Sequence, residues 1–142
     1  MKIAILNGPN LNLTGSREKD IYGSVSWEQF FQQLQDRFPD IQFTFFQSNV
    51  EGILINKLQE FSGVVEAIIF NPGGYTHTSV ALGDTVAAIP CPVIEVHISN
   101  IFAREVFRKI SHISAQCKGT ITGFGLEGYA LAVYAIMNRK LV

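Results

Sequence analysis

Short apolar runs alternate with helix-period stripes along the whole chain, and this alternation constrains the fold more than any other feature. Ile3-Ala4-Ile5-Leu6 stops at Asn7-Gly8-Pro9, a turn signal. Ser26 opens a helix with Gln29 three residues on, the pattern of a capping box. Trp27, Phe30, Phe31, Leu34 and Phe38 follow as one apolar stripe. Residues 41–45 alternate apolar and polar, as a half-exposed edge strand does. Ser48 and Glu51 repeat the capping pattern before Ile53, Leu54, Leu58 and Phe61. Ala67-Ile68-Ile69-Phe70 is apolar on both faces, the mark of a central parallel strand. Residues 79–89 read as a helix, 92–96 as a buried strand and 104–112 as a helix. A short last strand at 120–122 and a final helix over 126–137 follow.

Five β-then-α units in a row imply a parallel sheet covered on both faces, because each right-handed crossover lays a helix over the sheet. The expected architecture is an α/β, flavodoxin-like three-layer sandwich with a five-stranded parallel sheet in the order 2-1-3-4-5. That order puts the alternating second strand at an edge and the apolar first, third and fourth strands inside. With no linker or repeat, residues 1–142 read as one catalytic domain. Hydrophobic residues make up 47% of the chain and charged residues only 16%. A small monomer needs more polar cover, so part of the surface is expected to be buried between subunits. The net charge is −1, from 11 basic and 12 acidic residues without a basic stripe, which argues against nucleic acid or a membrane as partner. The longest apolar run is too short for a bilayer, and Cys91 and Cys117 fit buried free thiols; a cytoplasmic protein is expected.

Ligands of such folds sit beyond the carboxyl ends of the strands. After strand one come Asn7-Gly8-Pro9-Asn10 and a loop of about nineteen residues, far longer than the usual connection and suited to a lid. After strand three comes the run from Asn71 through His77 to Ser79, and after strand four Glu95-Val96-His97-Ile98-Ser99-Asn100. Most reactive side chains fall in these three segments.

Glu95 and His97 share one face of their strand by the period of two. A carboxylate beside an imidazole fixes its tautomer and favours the protonated ring, which suits a general acid. A hydrogen-bonded core histidine and a metal site with His77 and Asp84 remain rival uses. Asn10 and Asn71 follow strands and either could cap a turn. Asn71 also excludes a receiver domain, which needs an aspartate there. Backbone N–H groups at Ile98-Ser99-Asn100, ahead of a helix, offer a carboxylate site. Arg104 and Arg108 stand one helical turn apart near that strand end. In the long loop, Tyr22 would be a poor base unless a cation stabilises its phenolate, and Arg17 of the same loop can supply that charge. Loop closure would exclude water and assemble the pair.

The set Asn7–Asn12 (NGPNLN), REKDIYG, NPGGYTHTSVAL, EVHISN and RE-x-x-R resembles type II 3-dehydroquinate dehydratase, with the motifs in that family's order and spacing from Lys2 to about Met137. The resemblance implies dehydration of 3-dehydroquinate to 3-dehydroshikimate in the shikimate pathway, through an enolate and with anti geometry, without a cofactor or metal. Carried over, it makes Tyr22 the base at carbon 2 and Arg17 the group that keeps it ionised. Asn10 steadies the enolate through a water, and His97, oriented by Glu95, protonates the departing hydroxyl. Ile98 and Ser99 hold the substrate carboxylate, and Asn71, His77 and Arg108 its hydroxyls. Asp84 comes from a neighbouring subunit, since the family forms trimers packed into dodecamers. This sequence departs from the family pattern at Gly83, where an arginine is usual, and at Lys19, Asp20, Ile110 and His112; these departures bear on assembly and the loop. Two rivals stand beside this reading: a flavodoxin-type electron carrier using Thr14-Gly15-Ser16 for phosphate, and a non-catalytic binding module.

Overall fold

The computed structural model describes residues 1–16 and 24–138. Five parallel strands, β1 (Lys2–Asn7), β2 (Gln42–Gln47), β3 (Ala67–Asn71), β4 (Val93–His97) and β5 (Gly119–Thr122), form one sheet in the order β2-β1-β3-β4-β5. The order matches the expectation, and its cause is visible in burial. Every residue of β3 and β4 is buried, whereas β2 at the edge has no buried residue and alternates exposed and half-buried positions from Gln42 to Phe45. In-register pairing runs from Ile3 opposite Phe43 and Ala67 to His97 opposite Thr122.

Among the described residues four α-helices cover the sheet: α1 (Trp27–Arg37), α2 (Glu51–Ser62), α3 (Val80–Ala88) and α4 (Glu127–Met137). The period of two splits each strand between two cores. Ile3, Ile5, Ala67, Ile69, Ile94 and Val96 face α1 and α4, where Trp27, Phe30, Leu34, Tyr129 and Val133 pack. Ala4, Leu6, Ile68, Phe70 and Val93 face α2 and α3, against Leu54, Leu58, Phe61, Leu82 and Val86. The first core is aromatic, with Trp27 4.7 Å from Phe45 and 4.9 Å from Tyr129 between ring centroids. Such pairs contribute about 0.5–1.5 kcal/mol each beyond area burial.

The start of α1 follows its sequence signal. Ser26 accepts from the Gln29 N–H at 3.2 Å while the Gln29 side chain accepts from the Ser26 N–H at 3.1 Å, a full capping box. Ser79 caps α3 by accepting from the Leu82 N–H at 3.0 Å. Two expectations need correction. The Ser48/Glu51 pattern is not a capping box: Val50 precedes α2, and the Ser48 hydroxyl accepts from the Val50 N–H at 3.0 Å, spent one turn too early. Residues 104–112 are not an α-helix. The crossover from β4 to β5 runs through short 3₁₀ turns at Ile101–Ala103, Val106–Lys109 and Ser114–Gln116. The physical reason is the lack of a core-facing stripe there, since Phe102, Val106, Phe107 and Ile110 are exposed and only Ile101 and Ile113 are buried.

Close backbone approach joins the loops above the sheet. Gly8 donates to the Asn71 carbonyl at 2.7 Å, and a Cβ at Gly8 would stand 2.5 Å from the Pro72 oxygen. The loops after β1 and β3 therefore touch, which places their asparagines side by side. On α3, a Cβ at Gly83 would stand 2.3 Å from the His112 oxygen. Gly83 thus packs directly against the backbone of His112 within this chain. Cys91 and Cys117 are free thiols, and burial pushes Cys91 up to about 11. Among the described residues no helix is long and apolar enough to cross a membrane.

Candidate active site

A cleft opens above the carboxyl ends of β1, β3 and β4. Asn10, Asn71, His77, His97, Ile98, Ser99 and Arg108 line it, together with Leu11, Leu13, Thr14, Gly73 and Arg104. Seven of the residues singled out from sequence thus meet in one place. Glu95 lies beneath the lining, fully buried. Asp84 is exposed on α3 and is not part of this lining. Arg17 and Tyr22 lie outside the described residues, as do Lys19 and Asp20.

Strand β4 places Glu95 and His97 on one face, and His97 Nε2 donates to Glu95 Oε1 at 2.6 Å. Ion burial opposes ionisation of Glu95, yet hydrogen bonds from His97, Ser114 and Thr76, with the attraction of His97, outweigh it and hold the carboxyl below its ordinary value. The other imidazole is arranged differently. His77 Nδ1 lies 2.7 Å from the Ile110 carbonyl oxygen, which can only accept, so Nδ1 carries the proton. Burial chiefly lowers the His77 pKa, helped by His97 and Arg108. The neutral ring therefore has a free lone pair on Nε2, an acceptor for a hydroxyl.

Asn10 holds the left-handed conformation at φ 67°, the only non-glycine residue with positive φ among those described. Its N–H donates to Asn49 Oδ1 at 3.0 Å, which anchors this strained position. Asn71 is locked at both ends of its amide: Oδ1 accepts from the Gly73 N–H at 3.1 Å, and Nδ2 donates to the Tyr129 hydroxyl at 2.9 Å. Tyr129 in turn donates to Asn7 Oδ1 at 2.8 Å. Burial raises the Tyr129 pKa, so its hydroxyl stays a donor. Arg104 Nη1 donates to Ser99 Oγ at 3.3 Å, and Arg108 Nε donates to Glu105 Oε2 at 2.5 Å. Two guanidinium groups thus stand at the cleft, as suits an anionic ligand.

The helix expected after Ile98 and Ser99 is replaced by the 3₁₀ turn at Ile101–Ala103, where Asn100 Oδ1 accepts from the Phe102 N–H at 3.1 Å. Thr14 and Ser16 donate to the carbonyls of Leu11 and Leu13 at 2.7 and 2.8 Å, so their hydroxyls serve the turn rather than a phosphate. The metal donors weighed from sequence are not assembled: among the described residues no three His, Cys, Asp or Glu side chains form a cluster that could hold an ion. Sequence reasoning missed Thr76, Ser111 and Ser114, which surround Glu95, and Tyr129, which orients Asn71. The signal for the first three was faint: hydroxyl residues near the ends of two loops.

Comparison with known proteins gives a consistent result. The family model described as Dehydroquinase class II matches residues 1–137. A 3-dehydroquinate dehydratase of Exiguobacterium sp. is 52% identical over 140 residues, covering 98% of this chain and 96% of its own. One from Fusobacterium nucleatum is 52% identical over 144 residues, covering 97% of each chain. The crystal structure of type II dehydroquinase from Butyrivibrio crossotus superimposes with a TM-score of 0.93 at 42% identity, over 97% of this chain and 98% of that one.

Proposed function

The chain belongs to the class II dehydroquinase family, and from that premise we propose how its residues carry the reaction. It is a 3-dehydroquinate dehydratase of type II, acting on 3-dehydroquinate in the shikimate pathway. The elimination runs with anti geometry through an enolate. Tyr22, held as phenolate by Arg17, removes a proton from carbon 2, alpha to the ketone. The electron pair delocalises onto the ketone oxygen, which Asn10 steadies through a bound water. As the enolate collapses, the carbon–oxygen bond breaks and His97 donates its proton to the departing hydroxyl, releasing water. Glu95 compensates the charge of the doubly protonated ring and fixes its orientation.

One observation carries this reading: a buried carboxylate seated on Nε2 of a histidine that lines the cleft. Ile98 and Ser99 hold the substrate carboxylate, and the charge of Arg104 beside Ser99 supports that placement. Asn71, neutral His77 and Arg108 hold the hydroxyls. No cofactor or metal enters this scheme.

The single domain spans residues 1–142. We place it in the cytoplasm, a reading supported by two free thiols. It assembles as a homo-oligomer, a dodecamer of four trimers in which Asp84 completes a neighbour's site. Exposed Phe102, Val106, Phe107, Ile110 and Phe124 support extensive association. Light scattering should show the assembly at micromolar concentration, and a monomer would leave Asp84 without a role.

The decisive experiment follows enone absorbance on addition of 3-dehydroquinate. Tyr22→Phe should cut turnover at least about a thousandfold with KM within several-fold, as for loss of an essential base. Turnover above about a tenth of wild type would remove Tyr22 from the mechanism.

A further inference from the structure

Glu95 is fully buried, and each hydrogen bond around it points the same way. Oε1 accepts from Thr76 Oγ1 and from His97 Nε2, and Oε2 accepts from Ser114 Oγ. Behind Thr76 stands Ser111, whose Oγ lies 3.2 Å from Thr76 Oγ1 and 3.5 Å from Glu95 Oε1. Ser111 Oγ accepts the N–H groups of Ile113 at 3.1 Å and Ser114 at 2.9 Å. With its lone pairs engaged, Ser111 has only its proton to offer, and Thr76 or Glu95 receives it. Thr76, with its own proton turned toward Glu95, is free to accept from Ser111. Two backbone amides therefore set the polarity of a chain that ends on one carboxylate, where the bonds polarise one another.

We propose that Thr76 and Ser114 are positioning residues for the protonation step, their hydroxyls holding Glu95 as a fixed anion that pins His97 through Nε2 and leaves Nδ1 to deliver the proton to the departing hydroxyl. The proposal rests on the reading of His97 as the general acid. A buried carboxylate with fewer donors would relieve its desolvation by taking a proton, and the imidazole would then lose its counter-charge. The depressed pKa of Glu95, held down against burial, agrees with this.

The surroundings leave the hydroxyls in control. Phe70 on β3 and Thr120 on β5, the strand neighbours of Glu95, carry no charge. The thiol of Cys117, pushed up to about 12 by burial and by Glu95 itself, stays neutral. His77 and Arg108 are the nearby basic groups from the turns at Gly73–His77 and Val106–Lys109. His112 and Asp84 are exposed, and Tyr129 of α4 packs on the opposite face with Ile94 and Val96.

The test compares Thr76→Val, Ser114→Ala, Thr76→Ser and Glu95→Gln in the assembled enzyme, measuring kcat and KM from about pH 3.5 to 9 alongside melting temperature. Thr76→Val and Ser114→Ala should each lower kcat about tenfold with KM within about twofold. The acid limb of kcat should move up by about one pH unit, because a carboxylate stripped of a donor is protonated at higher pH. Thr76→Ser, which keeps the hydroxyl, should restore both. A fall in kcat with an unmoved limb would make the hydroxyls mere structural partners and overturn the proposal. Glu95→Gln separates the two levels. Wild-type turnover in that variant removes the Glu95–His97 acid itself. Strong loss in Glu95→Gln with an unaltered pH profile in the hydroxyl variants overturns only the present proposal. If Thr76→Val does not fold, the half-buried Ser114 gives the same readings.

Discussion

Two imidazoles face one cleft, their ring centroids 6.4 Å apart and their planes 22° from parallel, yet their partners differ in kind. His97 meets a buried carboxylate through Nε2, and His77 meets a backbone carbonyl through Nδ1. A carboxylate compensates a second proton on the ring, which makes His97 fit to give one away. A carbonyl fixes the tautomer without compensating charge, and burial keeps His77 neutral. The two backing groups thus suit the same side chain to different proposed roles, acid for His97 and hydroxyl acceptor for His77. Both backing groups depend on one short stretch: Ile110 supplies the carbonyl for His77, and Ser111 and Ser114 support Glu95.

The comparison breaks most visibly in turnover. His97→Ala should lower kcat about a thousandfold, the scale of a lost general acid, whereas His77→Asn should act mainly on KM, by about tenfold, or about 1.4 kcal/mol. Steady-state kinetics on 3-dehydroquinate decides, and equal losses of kcat in the two variants would erase the division of labour.

A smaller effect reaches both rings together. In Gly83→Ala the new Cβ meets the His112 carbonyl oxygen, 2.3 Å from its ideal position, and must shift the stretch that backs both histidines. Overpacking of this kind costs about 1–3 kcal/mol. Denaturant unfolding should show that loss, and kinetics should show changes in kcat and KM at once. Gly52→Ala provides the contrast. Nothing lies within 4 Å of its Cβ in α2, and the change should stabilise by about 0.5–1 kcal/mol. A Gly83→Ala variant as stable as wild type would show that the stretch yields without consequence.

The smallest effect separates the two by pH. The lowered pKa of His77 means that the unfolded chain binds a proton before the native one does. Its contribution is complete above the ordinary value of 6.5 and declines as the pH falls below it. Glu95, also lowered, contributes fully above 4.5 and loses that contribution as the pH falls through its folded value. Melting temperature should therefore decline in two windows on acidification. His77→Asn should flatten the upper window and Glu95→Gln the lower, and exchange of those assignments would contradict the hydrogen bonding described.

The strand-end rule made much of this site legible, because a parallel sheet delivers the residues after each strand to one edge. Asn10, Asn71, His77, His97, Ile98, Ser99 and Arg108 were found in that way and line the cleft together. The 3₁₀ turns between β4 and β5 were not legible. Arg104 and Arg108 have helical spacing, but the apolar residues among them find no core to pack against. The Ser48 pattern misled for a related reason, since a hydroxyl can cap only the turn that it reaches.

The sequence by itself determined the layers, the strand order and the pairing of Glu95 with His97, because these rest on local periodicity and on which strands are apolar on both faces. Tertiary structure alone decided what surrounds those groups. Thr76 lies 19 residues from Glu95 in the chain and Tyr129 lies 58 from Asn71, and no local pattern announces either contact. The polarity of each network is likewise a three-dimensional property. It starts from backbone N–H groups at Gly73, Ile113 and Ser114, which can only donate, and it becomes fixed once the fold brings an acceptor to them.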